Sequence, residues 1–249
     1  MNFVTVETNE GIATVVLKRG KVNALNDDVV DELRESFKVL EADPDIKAVV
    51  FTGYGKFFSF GFDIPEFLSF SKKDFTDYLI NFTDLYTYLF QYPKLVVAAL
   101  NGHTIAGGCM LALACDERVM VDGKGKISLN EIDFGSSVFA GSTEMLRFWV
   151  GSANAARVLY SGAMYSAKEA MSFGLVDTLT AEQDLMDKAK EIACDQAPEY
   201  LPAFAGIKAL LRKPIAEEMI KREKESINEF VDIWYSQETW ANLQNIKIR

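Results

Sequence analysis

Three stretches of this 249-residue chain place glycines or an acid where apolar strands end. Phe57-Phe58-Ser59-Phe60-Gly61-Phe62-Asp63-Ile64 follows a run that closes at Gly53. Asn101-Gly102-His103-Thr104-Ile105-Ala106-Gly107-Gly108-Cys109 follows one that closes at Leu100 and opens a helix. Ile127-Ser128-Leu129-Asn130-Glu131-Ile132-Asp133-Phe134-Gly135 carries an acid among apolar neighbours. The first N–H groups of a helix have no internal partner, and the helix dipole favours negative charge beyond them. Glycine at 107 and 108 lets a ligand approach that backbone closely. A second N–H converging from the first turn would complete an oxyanion hole, each donor contributing about 3 kcal/mol to barrier lowering. Taken alone, the Gly-Gly pair is better explained by close helix–strand packing. Glu131 in apolar surroundings would hold its proton more tightly than usual, which suits a general base. An isolated glutamate is more commonly a surface or cap residue.

Alternating strands and helices are needed to hold these stretches. Phe3–Glu7 and Ile12–Lys18 read as strands joined by Asn9-Glu10-Gly11. Asn26-Asp27-Asp28 caps a helix bearing Val30, Leu33, Phe37 and Leu40 at helical spacing. Ala48–Thr52 and Leu95–Leu100 are apolar on both faces, and Lys72–Gln91 is helical between them. Short strands are expected near Arg118–Val121 and Lys126–Leu129. Strands apolar on both faces with intervening helices imply an α/β fold with a largely parallel sheet. Beyond Gly141 the pattern is helical: Ser142–Val150, Asn154–Tyr160, Ala167–Phe173, Glu182–Cys194, Leu201–Leu211, Ile215–Tyr235 and Glu238–Asn245. A core over 1–195 and a helical region over 196–249 are the expected divisions.

The net charge of −10 argues against general nucleic-acid binding, and a basic stretch at Lys208–Lys224 is interrupted by Glu217, Glu218 and Glu223. Cys109, Cys115 and Cys194 fit neither a disulfide framework nor a zinc pattern. His103, the single histidine, has no nucleophile placed beside it by any motif, so it reads as a turn residue. The first residues alternate like a strand and not like a signal peptide, and no apolar run is long enough to span a bilayer. The expected location is the cytoplasm, with no membrane partner.

Together, in this order, the three stretches resemble the crotonase (enoyl-CoA hydratase/isomerase) superfamily over nearly the whole chain. Ser59-Phe60-Gly61-Phe62-Asp63 resembles the first oxyanion turn, whose donor is the N–H of Phe62. Asn101-Gly102 through Ala106-Gly107-Gly108-Cys109, ending in Ala114-Cys115-Asp116, resembles the second, whose donor is Gly107. The resemblance implies a ClpP-like spiral core of ββα units followed by a C-terminal helical trimerisation region. It also implies an acyl-CoA substrate, no prosthetic group (coenzyme A being part of the substrate), and a homotrimer or dimer of trimers. Phe230, Ile233, Trp234 and Trp240 either join that assembly or close the chain's own core. Family members bind the adenine and diphosphate between Lys21-Val22-Asn23-Ala24-Leu25 and Phe58-Ser59-Phe60, where Lys21 either pairs with a phosphate or is simply solvated. Gly61, Ile64 and Gly108 lie beside the donors; Asp63 reads as a brace of its turn. Phe60, Phe62, Met110 and Phe139 are expected to line a dry acyl pocket, whereas Phe57 and Phe58 read better as core.

The departure from the hydratases is at Met110. They carry a catalytic glutamate three residues past the second donor glycine and another at the position of Glu131. A single glutamate suffices to move a double bond, and the stretches Ala106–Asp116, Leu129–Glu131 and Lys208–Lys213 are most similar to the mitochondrial-type Δ3,Δ2-enoyl-CoA isomerases. The expected activity is therefore 3- to 2-enoyl-CoA isomerisation. Hydration or another crotonase reaction is the alternative within the superfamily. A non-catalytic acyl-CoA-binding or assembly protein is the alternative outside it.

Overall fold

The Asn9-Glu10-Gly11 turn closes a hairpin between β1 (Val4–Asn9) and β2 (Ile12–Leu17). Glu10 and Gly11 both have positive φ, as the tightest hairpin turns require. The computed structural model describes residues 2–246. After β2 comes α1 (Asp27–Ala42), started by the Asn26 side chain accepting from the Val29 N–H, with Asp27 and Asp28 in its first turn. Then follow β3 (Ala48–Gly53), β4 (Phe57–Ser59), the short α2 (Ile64–Phe67) and α3 (Lys72–Phe90). The unit repeats as β5 (Leu95–Leu100), β6 (His103–Ile105) and α4 (Gly107–Ala114), and again as β7 (Glu117–Val121) and β8 (Ile127–Ser128). A 3₁₀ turn at Glu131–Phe134, α5 (Ala140–Ser161), α6 (Ala167–Ser172) and β9 (Thr178–Thr180) come next. A second 3₁₀ turn at Glu182–Asp184, α7 (Leu185–Gln196), α8 (Leu201–Trp234) and α9 (Gln237–Gln244) complete the order.

The long strands form one sheet in the order β1-β2-β3-β5-β7-β9, parallel except for the hairpin. The short strands form a second parallel sheet, β4-β6-β8. β3, β5 and β7 each hand the chain to a short strand before the next helical segment, and the ββα unit advances like a spiral. Val49 and Phe51 face the main core, whereas Ala48 and Val50 face a smaller core closed by Ala189 and Ala193 of α7. That two-sided burial explains the unbroken apolar runs of β3 and β5.

Two differences from the sequence reading have local causes. The second sheet was not foreseen at residues 57–59 and 103–105, because three-residue strands carry no readable alternation. The helices expected at Leu201–Leu211 and Ile215–Tyr235 are one helix, α8, running through Pro214. The carbonyl that Pro214 leaves without a donor belongs to Leu210, which is 81% exposed and open to water. Conversely, α5 contains the expected break, at Gly151 with φ 73° and ψ 163°. Of the two expected alternatives for Phe230 and Trp234, the structure has them closing the chain's own core; the exposed large apolar residues of α8 are Ile207, Leu210, Leu211 and Ile220. No helix of the described residues is long and apolar enough to cross a membrane.

Candidate active site

The first turn is set by a short bridge. Phe62 pairs with Leu25, the Leu25 N–H donating to Gly61 O at 2.8 Å and the Asp63 N–H donating to Leu25 O at 3.0 Å. Gly61 has φ 86°, a conformation that glycine adopts without strain. The N–H of Phe62 faces away from Leu25 and has no acceptor among the described residues. Asp63 does brace the turn: its carboxylate caps α2 at the Glu66 N–H (3.2 Å) and pairs with Arg19 at 2.6 Å.

The second turn meets the first. Ala106 has φ 49° and ψ −119°, an uncommon conformation for a residue with a side chain, and it turns the chain into α4. Gly107 is the first residue of that helix, so its N–H has no intrahelical acceptor. A methyl group on Gly61 would lie 3.2 Å from the Gly107 nitrogen, and one on Gly107 would lie 3.0 Å from the Phe62 ring. The two turns are therefore in contact, with a free N–H on each. Gly108 is tighter still: a methyl there would lie 2.5 Å from Ser59 O. Ser59 belongs to β4, so Gly108→Ala has to push the first turn away from the second. We expect this variant to lose about 1–3 kcal/mol in a urea melt, although alanine normally favours a helix.

Glu131 opens the 3₁₀ turn after β8 and is 4% exposed. Its Oε2 has no hydrogen-bond partner among the described residues. Burial pushes its pKa from 4.5 up to about 8; the only opposing influence is a backbone hydrogen bond. It lines a cavity of about 290 Å³ together with Phe60, Phe62, Ile105, Ala106 and Phe134. The inner wall comes from α8, through Phe230 and Trp234. An unpaired carboxylate with raised proton affinity, an apolar cavity and two free N–H groups are the parts needed to take a proton from a carbon beside a carbonyl.

The other site residues expected from sequence fall into three groups. Phe60, Phe62 and Ile64 line the cavity with Glu131. Met110 and Phe139 do not; both are fully buried, and Phe139 packs at a tilt on Phe230, ring centroids 4.5 Å apart, outside the wall. Ala24, Leu25, Phe58 and Ser59 are buried beside the turns, Phe58 packing on Phe51 at 5.0 Å, and Lys21 is exposed. Asn23 is fully buried, its side chain taken up by Arg19, Tyr54 and Phe57 backbone groups. His103 stacks on Phe57 at 5.2 Å, and burial lowers its pKa. Sequence reasoning missed Arg19, Ile105, Phe134, Phe230 and Trp234 as parts of this region. The i, i+4 spacing of Phe230 and Trp234 was the available signal, but it reads equally as core. Among the described residues no cluster of His, Cys, Asp and Glu could hold a metal ion.

The family model described as Enoyl-CoA hydratase/isomerase matches residues 7–240. This chain belongs to the enoyl-CoA hydratase/isomerase family. It is 32% identical to the mitochondrial enoyl-CoA delta isomerase 1 of Mus musculus over 232 residues, covering 92% of this chain and 80% of that protein. It is 30% identical to a probable enoyl-CoA hydratase of Bacillus subtilis over 213 residues, covering 85% and 82%. Among solved structures, human mitochondrial delta3-delta2-enoyl-CoA isomerase superposes with a TM-score of 0.92 at 29% identity, over 98% of this chain and 96% of that one. Isomerases and hydratases are thus about equally similar, and the reaction within the family has to be argued from the site.

Proposed function

We propose that the protein shifts the double bond of a 3-enoyl-CoA to the 2-position, with Glu131 as the single acid/base. The observation that carries this reading is the buried Glu131 on the cavity wall, whose Oε2 has no partner among the described residues; Met110 stands three residues past Gly107, where the resemblance places the hydratases' second glutamate. Glu131 as carboxylate takes a proton from C2, and the electrons move onto the thioester oxygen. The N–H groups of Phe62 and Gly107 hold that oxygen. The resulting carboxylic acid returns the proton at C4, the 2,3 double bond forms, and the thioester carbonyl is restored. No water is consumed, and the aromatic wall keeps water from the dienolate. The thioester remains attached to coenzyme A throughout.

Assays with trans-3-hexenoyl-CoA and crotonyl-CoA, read by conjugation absorbance and mass spectrometry, test the assignment. Isomerisation of the first without hydration of the second is the expected result. Hydration of crotonyl-CoA as the main activity would replace this reading with the hydratase one. The pH dependence follows from the base. Only the ionised form of Glu131 accepts the proton, so log kcat/KM should climb with unit slope below about pH 8 and level off above it. A profile flat from pH 6 to 9 would mean that Glu131 is not the base.

Self-association through α8 belongs to the same reading, supported by the exposed Ile207, Leu210 and Leu211. Sedimentation should give a multiple of three times the 27.8 kDa chain mass, and Leu210→Glu should lower it to that of one chain.

A further inference from the structure

Phe62 contributes to this chemistry only if its N–H points at the reacting oxygen, and no side chain of Phe62 can set that direction. In an extended segment successive N–H groups alternate in direction. The peptide groups on either side of Phe62 both bond to Leu25, which forces the Phe62 N–H to the opposite side, toward Gly107. The aim of the donor is therefore only as firm as the position of Leu25.

Two residues before it, Asn23 holds φ 52°, in the left-handed region. Its Oδ1 accepts the Arg19 N–H at 3.0 Å, and its Nδ2 donates to Tyr54 O at 3.0 Å and Phe57 O at 2.8 Å. Ser59 Oγ donates back to Asn23 O at 2.7 Å. One fully buried side chain thus ties the loop after β2 to the segment that leads into Phe62. The Arg19 guanidinium closes the other end. One nitrogen donates to Ala24 O at 3.2 Å and Asp63 Oδ2 at 2.6 Å; the other donates to Glu66 Oε2 at 2.8 Å. Ala24 precedes Leu25 and Asp63 follows Phe62, so a single nitrogen clamps both sides of the bridge.

We infer that Arg19, with Asn23, is a positioning residue that aims the Phe62 N–H at the thioester oxygen. This rests on the oxyanion-hole reading above. Arg19 contacts no part of the cavity, and its charge is met by Asp63 and Glu66, so it acts on rate through geometry and not by binding coenzyme A. Lysine cannot replace it fully, because the clamp uses two nitrogens held in one plane.

The test uses bound 2,4-hexadienoyl-CoA, whose conjugated carbonyl absorbs at longer wavelength when both donors polarise it. The wild type should show the red shift. Arg19→Met and Asn23→Ala should bind the thioester within about threefold of wild type yet show a smaller shift. Their kcat should fall roughly tenfold to a hundredfold with KM little changed, less than the 10²–10³ for loss of a donor. Arg19→Lys should fall between. Wild type that binds without any shift would remove the oxyanion-hole reading itself and this inference with it. A wild-type shift that Arg19→Met retains in full, with undiminished kcat, overturns the inference alone. If Arg19→Met does not fold, Arg19→Lys decides: a full-size shift and wild-type kcat there overturn the assignment, and a reduced shift at an unchanged melting temperature upholds it.

Discussion

Glu131→Gln should abolish double-bond migration, lowering kcat by roughly 10²–10⁴ while the protein stays folded and still binds a 2-enoyl-CoA. Glutamine keeps the shape and size of the side chain but cannot accept a proton at C2. Among the described residues no other carboxylate lies in the interior of the cavity to substitute for Glu131; Asp133 lines it only at an exposed rim. A second readout separates loss of the base from general damage. The folded protein holds the Glu131 proton up to about pH 8, whereas the unfolded chain releases it near 4.5. Between those values the folded state binds more protons, so this group makes stability fall as pH rises. The variant lacks that titration. Its stability relative to wild type should therefore grow from pH 5 to pH 8.5 in parallel urea melts. A constant difference over that range would mean that Glu131 ionises normally, and the raised proton affinity on which the base role depends would be lost. Glu223, pushed up to about 7 by burial but held by Tyr86 and the Gly141 N–H, titrates in the same direction in both proteins and cancels in the comparison.

The sequence was legible where a physical pattern repeats. Both-faces-apolar strands such as Leu95–Leu100, the Asn26 cap and the glycine-marked turns predicted elements found within a residue or two. It was silent where contacts join distant segments. Arg19 and Asn23 lie in an ordinary polar loop, and only the folded chain brings them to Asp63, Tyr54 and Phe57. The cavity wall was half readable for the same reason: Phe60 and Phe62 lie beside the first turn, whereas Phe230 and Trp234 arrive from a helix more than 160 residues away in sequence. Met110, expected on the pocket wall, lies in the core and not on the cavity wall.

That distant helix has its own electrostatic anchor, and the second large effect is expected there. Asp116→Asn should destabilise the fold by about 3–5 kcal/mol. Asp116 follows α4, which begins at Gly107, and its carboxylate meets two buried cations of α8: Lys208 at 2.7 Å and Arg212 at 2.8 Å. It also accepts the Val96 N–H at 2.8 Å, joining β5 to the same point. Lys208 and Arg212 are 5% and 4% exposed, and their remaining donors go to backbone carbonyls of Lys94, Phe90 and Ala114. Asparagine preserves the shape but leaves two charges in the interior without a counterion, and the desolvation cost is then uncompensated. Lys208 offers partial relief. Burial already lowers its pKa from 10.5 to about 8 against the pull of Asp116. Without that carboxylate it should lose its proton at lower pH still. A lysine with a lowered folded pKa gains stability as pH rises, because the unfolded chain keeps the proton longer. The gap between variant and wild type should therefore narrow between pH 6 and pH 8 in chemical denaturation. A gap independent of pH would show that Lys208 keeps its proton in the variant over this range. Since α8 carries Phe230 and Trp234 to the cavity, loosening this anchor should also raise KM for the acyl-CoA while Glu131 and both donor turns remain intact.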